Sequence, residues 1–257
     1  MSSSVTIVRQ PSAETIDRIA IRTSEKDVRE LERLLRRGSR AQQENPEHHE
    51  HLNEHIDKPW GCEYRVFADD FHDVWELRIE PGHATSVHAH PRKVTYLLCL
   101  GGTGEISTLD GAFEVGPGTA VRIGAGAFHG TTNTGSAQLA LVEVELPRNK
   151  FDLVRLTDSY DRATTAYEPT ASHLDGSPLR RAPHIPHAVI RRASPDRRFS
   201  YEIRTGMDLY YRRLPTELFH VPIGMSGVVH GSVDVLGGAS RDEVATDRSY
   251  LSISGAQ

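Results

Sequence analysis

The sequence predicts an all-β-dominated fold: a β-sandwich or barrel, with a helix before it and a smaller β-rich module after it. Three observations predict this. Between Lys58 and about Leu146, short apolar runs recur (EYRVFA, DVWELRIE, VTYLLCL, GEISTL, AFEV, AVRI, LALVEVEL), separated by Gly, Pro and Asp. Several alternate with period two, as half-buried antiparallel strands do, and many short strands with turns between them make a sandwich or barrel. Strand-like runs return from Phe199 to Ile253 without repeating the first set, and only residues 24–43 carry a clear helical period.

In chain order, residues 1–57 read as an N-terminal arm and helix, 58–157 as the barrel, 158–198 as a Pro- and Arg-rich wrapping segment, and 199–257 as the small module. Residues 1–23 are strand-like but have no partner in the barrel pattern, which predicts association through this arm, most simply as a homodimer. Ser24 with Asp27 three residues on forms a capping-box pattern, and Val28, Leu31, Leu34 and Leu35 fall on one helical face. His48, His49, His51 and His55 follow among acids in a stretch with no apolar period, where a loop is a better reading than a metal site. Asp110-Gly111 marks a two-residue hairpin. His184 and His187 sit next to prolines in the wrapping segment, which also carries Arg180, Arg181, Arg191 and Arg192.

The chain has 257 residues, enough for one large β domain or a domain with a smaller companion. A net charge of −5 argues against a dedicated nucleic-acid binder. No apolar run is long enough to span a membrane, and the start lacks a basic region followed by an apolar one. The two cysteines, Cys62 and Cys99, fit a reducing compartment. The expectation is a cytoplasmic protein with neither nucleic-acid nor membrane partners.

The chemistry is concentrated around GHATSVHAHPRKVTYLLCLGG, residues 82–102. In a strand, His88 and His90 point to one face, and paired imidazoles facing a core are costly unless their nitrogens are satisfied. A metal ion would satisfy them. The spacing is Gly82-x5-His88-Ala89-His90, then Gly118-x5-Gly124-Ala125-Gly126-x2-His129-x3-Asn133, with fifteen residues between Gly102 and Gly118.

This pattern resembles the two motifs of the cupin superfamily. The resemblance implies a jelly-roll barrel over about residues 58–147 and metal ligands at His88, His90 and His129. It also implies a glycine at Gly126 where a Cβ would crowd the turn. Gly124 stands where the second motif has proline, and Thr95 where the first has its glutamate. No carboxylate occurs between His90 and Glu105, so three imidazoles would leave a divalent ion (Fe(II), Zn or Mn) with its full charge, favouring a small anionic substrate. KPWGCEYRVF, TSVHAHPRKVTYLLCLGG and VEVELPRNKFDLVRLTDSYDR are similar to mannose-6-phosphate-isomerase-like cupins with a K-P-W-G-x-E signature, met in capsule and nucleotide-sugar contexts.

If Thr95 points inward, parity places Leu97 and Cys99 inward too, with Tyr96 and Leu98 outward. Arg92 and Lys93, on the bend after the ligand pair, are candidate anion holders, and Thr95 a candidate substrate contact. His72, Glu76 and Tyr64 are candidate proton carriers. Three functions stay open: a metal-dependent isomerase or epimerase acting on a phosphorylated or nucleotide-linked sugar, a three-His non-haem Fe(II) oxygenase, and a non-catalytic sugar-binding module.

Overall fold

The structure, a computed structural model, describes residues 16–39, 55–157, 159–160, 191–212, 214–224, 234–238 and 243–255. The expectations for His48, His49, His51, His184, His187, Arg180, Arg181 and the Arg192 side chain lie outside the described residues.

The first sheet has seven strands: β1 (Asp17–Ile21), β2 (His55–Lys58), β3 (Gly61–Ala68), β4 (Asp73–Ile79), β6 (Val94–Gly101), β9 (Thr119–Ile123) and β11 (Leu139–Leu146). Their order is β1-β9-β6-β11-β4-β3-β2. The second sheet contains β5 (Val87–Ala89), β7 (Gly104–Thr108), β8 (Gly111–Val115), β10 (His129–Asn133) and β12 (Val154–Thr157), ordered β12-β5-β10-β7-β8. Together these make the expected jelly-roll barrel. The third sheet contains β13 (Arg191–Ala193), β14 (Phe199–Thr205), β15 (Glu217–Ile223), β16 (Leu236–Gly237) and β17 (Ser249–Gly255), ordered β13-β14-β17-β15-β16. A short helix, α2 (Gly206–Tyr211), follows β14.

The strand-like arm does find a partner within the chain. Residues Asp17 to Ile21 pair in parallel with Thr119 to Ile123, so β1 extends the barrel's own sheet. Helix α1 (Glu25–Arg36) begins with the expected capping box: the Ser24 amide donates to Asp27 at 2.7 Å, and the Ser24 hydroxyl accepts from the Asp27 amide at 3.2 Å. Leu34 and Leu31 pack with Ala89, Phe128 and Val154, whereas Val28 and Leu35 remain exposed. Asp27 also accepts the Phe128 amide at 2.9 Å, which ties the helix to the turn before His129.

Parity along β6 is as expected. Leu97 packs with Ile106, Val121 and Ile123, and Cys99 with Trp75, Leu77 and Leu141. Tyr96, Leu98 and Leu100 turn the other way and meet Phe199, Tyr201, Phe219, Val221 and Ile253 of the third sheet. Each fully buried aliphatic or aromatic side chain contributes about 1.5–3 kcal/mol. This seam packs the third sheet against the outer face of the barrel.

Lys58-Pro59-Trp60-Gly61 is the β2–β3 hairpin, with Lys58 paired to Gly61. Gly61 has φ +141°, and a Cβ there would lie 1.9 Å from the Arg78 carbonyl oxygen. Gly61→Ala should therefore cost about 3 kcal/mol through combined strain and overpacking. Urea unfolding measures this, and a loss below about 0.5 kcal/mol would contradict the close approach.

Candidate metal centre

His88 lies on β5 and His129 on the neighbouring β10, where the two are direct cross-strand partners. His90 ends the segment that β5 begins. Ring centroids are 4.8 Å apart for His88 and His90, 4.5 Å for His88 and His129, and 5.3 Å for His90 and His129. One ligand nitrogen from each lies within 4.8 Å of the others.

The backbone fixes which nitrogen each ring presents. His88 Nδ1 lies 2.8 Å from the Ser86 carbonyl, His90 Nδ1 2.7 Å from the Asp152 carbonyl, and His129 Nδ1 3.1 Å from the Ala127 carbonyl. A carbonyl only accepts, so each Nδ1 carries the proton and each neutral ring leaves a bare Nε2 lone pair. This is how metal-binding histidines are oriented. Burial holds all three rings below the usual imidazole range, hence neutral. The buried His90 Nε2 has no hydrogen-bond partner among the described residues, which is expensive unless a cation fills the space. The three residues fit a divalent metal.

The turn supporting His129 differs from the expectation in one respect. A Cβ on Gly126 would meet Thr23 and Leu31 only at ordinary contact distances, 3.6 and 3.7 Å. Glycine is favoured there by its φ of +81°, and its amide donates to the His90 carbonyl at 2.7 Å, joining the two motifs.

Next to the imidazoles lies a solvent-open cavity. His88 and His90 line it together with Lys58, Glu63, Glu143, Glu145, Lys150 and Arg155. The sequence reading missed these charged groups and took the interior to lack a carboxylate. That premise is overturned: the carboxylates arrive on β3 and β11, far from the histidine motif in sequence. Glu143 Oε1 is 3.9 Å from His90 Nε2, and Glu143 Oε2 accepts from Lys150 Nζ at 2.9 Å. Lys150 also lies 3.4 Å from Glu63 and 3.6 Å from Glu145, and its ammonium sits 4.3 Å from the Trp75 ring centroid. Burial would raise Glu143, but Lys150 and Lys93 outweigh it and hold the carboxyl down at about 2. Burial pushes its neighbour Glu145 up to about 8.

Lys93 is not at the mouth. It is buried, with Nζ 2.7 Å from Glu145 and 3.0 Å from the Asn149 carbonyl. Arg92 is half exposed, and both its amide and its Nε bind the buried Asp152 carboxylate at 2.7 Å. Because Asp152 also supplies the carbonyl that orients His90, Arg92 braces a ligand from outside. Thr95 is fully buried opposite Glu145, and its hydroxyl has no hydrogen-bond partner among the described residues.

The three candidate proton carriers are elsewhere. Glu76 bonds Tyr201 and Arg78 in the seam beneath the third sheet, and Tyr64 belongs to the apolar cluster of that same seam. His72 is held by Asp69 in the β3–β4 turn, 3.0 Å away. Parity explains the first two: they lie on the face of β3 and β4 opposite to Glu63 and Leu77. Cys99 is a core residue, its thiol pushed up to about 12 by burial.

Residues 75–145 match the cupin domain family, in agreement with the jelly-roll barrel. The mannose-1-phosphate guanylyltransferase of Escherichia coli K12 is 28% identical over 148 residues, covering 56% of this chain and 29% of the relative. The alginate biosynthesis protein AlgA of Pseudomonas putida is 24% identical, over 60% of this chain and 31% of the relative. The chain thus spans less than a third of the length of these curated relatives. A solved structure from Silicibacter pomeroyi, described as a sugar phosphate isomerase of the cupin superfamily, is 21% identical. That match covers 30% of this chain and 52% of the other, with a TM-score of 0.29. Among the described residues no helix is long and apolar enough to cross a membrane.

Proposed function

We propose that this chain is a metal-dependent enzyme acting on a small anionic substrate, a phosphorylated or nucleotide-linked sugar, by isomerase-type chemistry. The observation that carries the reading is the set of three bare Nε2 atoms, each held by an Nδ1–H to a backbone carbonyl, with His88 and His90 lining a cavity that also carries buried acids and lysines. A divalent ion on His88, His90 and His129 would supply a Lewis acid for a substrate carbonyl.

The chain's own residues support the remaining roles. With all six ionised, the lining cations Lys58, Lys150 and Arg155, the last a cross-strand partner of His88, balance Glu63, Glu143 and Glu145, so a divalent ion would make the site positive. A site of that sign suits an anionic group, and a guanidinium grips phosphate at two points. Glu145 is placed to carry a proton between adjacent sugar carbons: it lines the cavity, Lys93 holds its Oε1, and its Oε2 is buried without a hydrogen-bond partner among the described residues. Arg92 and Lys93 then act by bracing His90 and Glu145, with Thr95 facing substrate beside them. The name of the Escherichia coli relative, a mannose-1-phosphate guanylyltransferase, supports the substrate class.

The test is turnover of a panel of sugar phosphates and nucleotide sugars by metal-loaded protein, with oxygen uptake recorded alongside. Isomerisation without oxygen uptake is expected. Glu145→Gln should lower kcat by about 10²–10⁴-fold with little change in metal content. Substrate-dependent oxygen consumption would instead select the oxygenase, and binding without turnover the non-catalytic module.

A further inference from the structure

The metal reading leaves one question, which is what takes the place of the glutamate that Thr95 displaces. We propose that Glu143, on β11, is the fourth ligand of the metal centre, and that Lys150 is the positioning residue that aims it. This rests on the metal reading above and concerns residues of a different strand from the histidine motifs.

Three observations converge. Glu143 Oε1 lies 3.9 Å from His90 Nε2. Two atoms that each sit about 2.0–2.2 Å from one ion are at most about 4.4 Å apart, so both can bind the same ion. The carboxylate is also divided: Oε2 is taken by Lys150 at 2.9 Å, which leaves Oε1 turned to the imidazoles. Finally, β11 pairs with β6 so that Glu145 lies opposite Thr95, and Glu143 opposite Leu97. A neighbouring strand thus supplies a carboxylate to a site whose own motif lacks one. The same pairing makes Glu145 the natural comparison: it is equally buried and on the same face, but held by Lys93.

The experiment is Co²⁺ titration of the full chain, read by affinity and by the visible d–d spectrum, for the parent, Glu143→Gln, Glu143→Asp and Glu145→Gln. The parent should bind one ion. Glu143→Gln should weaken binding about 10–100-fold and shift the spectrum, because a carboxylate oxygen is replaced by an amide or water. Glu143→Asp, which keeps the charge on a shorter arm, should fall between the two, and it guards against a Gln variant that misfolds. Glu145→Gln should bind within about twofold of the parent and keep its spectrum. Parent-like affinity and spectrum in both Glu143 variants would overturn the ligand assignment while leaving the three-histidine site standing. A parent that binds no Co²⁺ would overturn the metal reading and this assignment together.

Discussion

Lys150→Met is expected to destabilise the protein by about 3–5 kcal/mol, the typical cost of removing one partner from a buried ion pair. Lys150 sits among three carboxylates, but they do not depend on it equally. Glu63 has Lys58 at 3.5 Å and Glu145 has Lys93 at 2.7 Å, whereas Glu143 has its 2.9 Å contact from Lys150. Removing the ammonium therefore strands chiefly Glu143. The Trp75 ring loses its cation at 4.3 Å as well, although Arg65 at 4.8 Å stays. Met fills most of the volume, so the loss is electrostatic and not a cavity effect. Adding Glu143→Gln to Lys150→Met should accordingly restore at least half of the stability, a coupling that two independent sites would not show. Urea unfolding of the two single variants and the double variant measures it. A loss below about 1 kcal/mol for Lys150→Met, or additive losses in the double variant, would mean that the cluster is solvated and its ion pairs are worth little.

That cluster marks the limit of what the sequence revealed. The two histidine motifs are local, so spacing alone located His88, His90 and His129. The alternation in Val142-Glu143-Val144-Glu145-Leu146 was also legible as a strand. Period two assigns residues to two faces, but it does not say which face is inside a barrel. The apolar face was the natural choice for the interior. In the structure Val142, Val144 and Leu146 face outward because a third sheet covers them, and the glutamates line the cavity. Tyr64 on β3 faces the seam in the same way, whereas β4 keeps its apolar Trp75 and Leu77 inside and turns Glu76 to the seam. A signal existed in the K-P-W-G-x-E stretch, whose Lys58, Trp60 and Glu63 all line the cavity. In a single sequence nothing distinguishes such a charge from one on a solvated face. The helix shows the opposite balance: its cap was readable from Ser24 and Asp27, but Val28 and Leu35 of its apolar stripe stay exposed because only its Leu31–Leu34 side meets the barrel.

His129→Ala should reduce bound metal from about one ion per chain to near none, the largest functional effect expected of any single change. His129 brings the second sheet's central strand to the site, directly opposite His88, and its Nδ1 is already committed to the Ala127 carbonyl. Alanine at this position leaves two imidazoles, and no other described histidine ring packs against that pair. Because the ion binds only the folded chain, its loss also appears as stability. At a free metal concentration of about 100 Kd the ion contributes about 2.7 kcal/mol, which for a chain of this size is a shift of about 5–10 °C in Tm. Chelation should therefore lower the Tm of the parent by that amount and leave the Tm of the variant unmoved. The comparison variant is His83→Ala, an exposed histidine beside the Pro81 carbonyl that should retain both metal and the chelator response. Elemental analysis and thermal melts with and without chelator give both readings. If His129→Ala keeps the metal content and the chelator-dependent shift of the parent, the ion is bound elsewhere, and the three imidazoles need another explanation for their bare nitrogens.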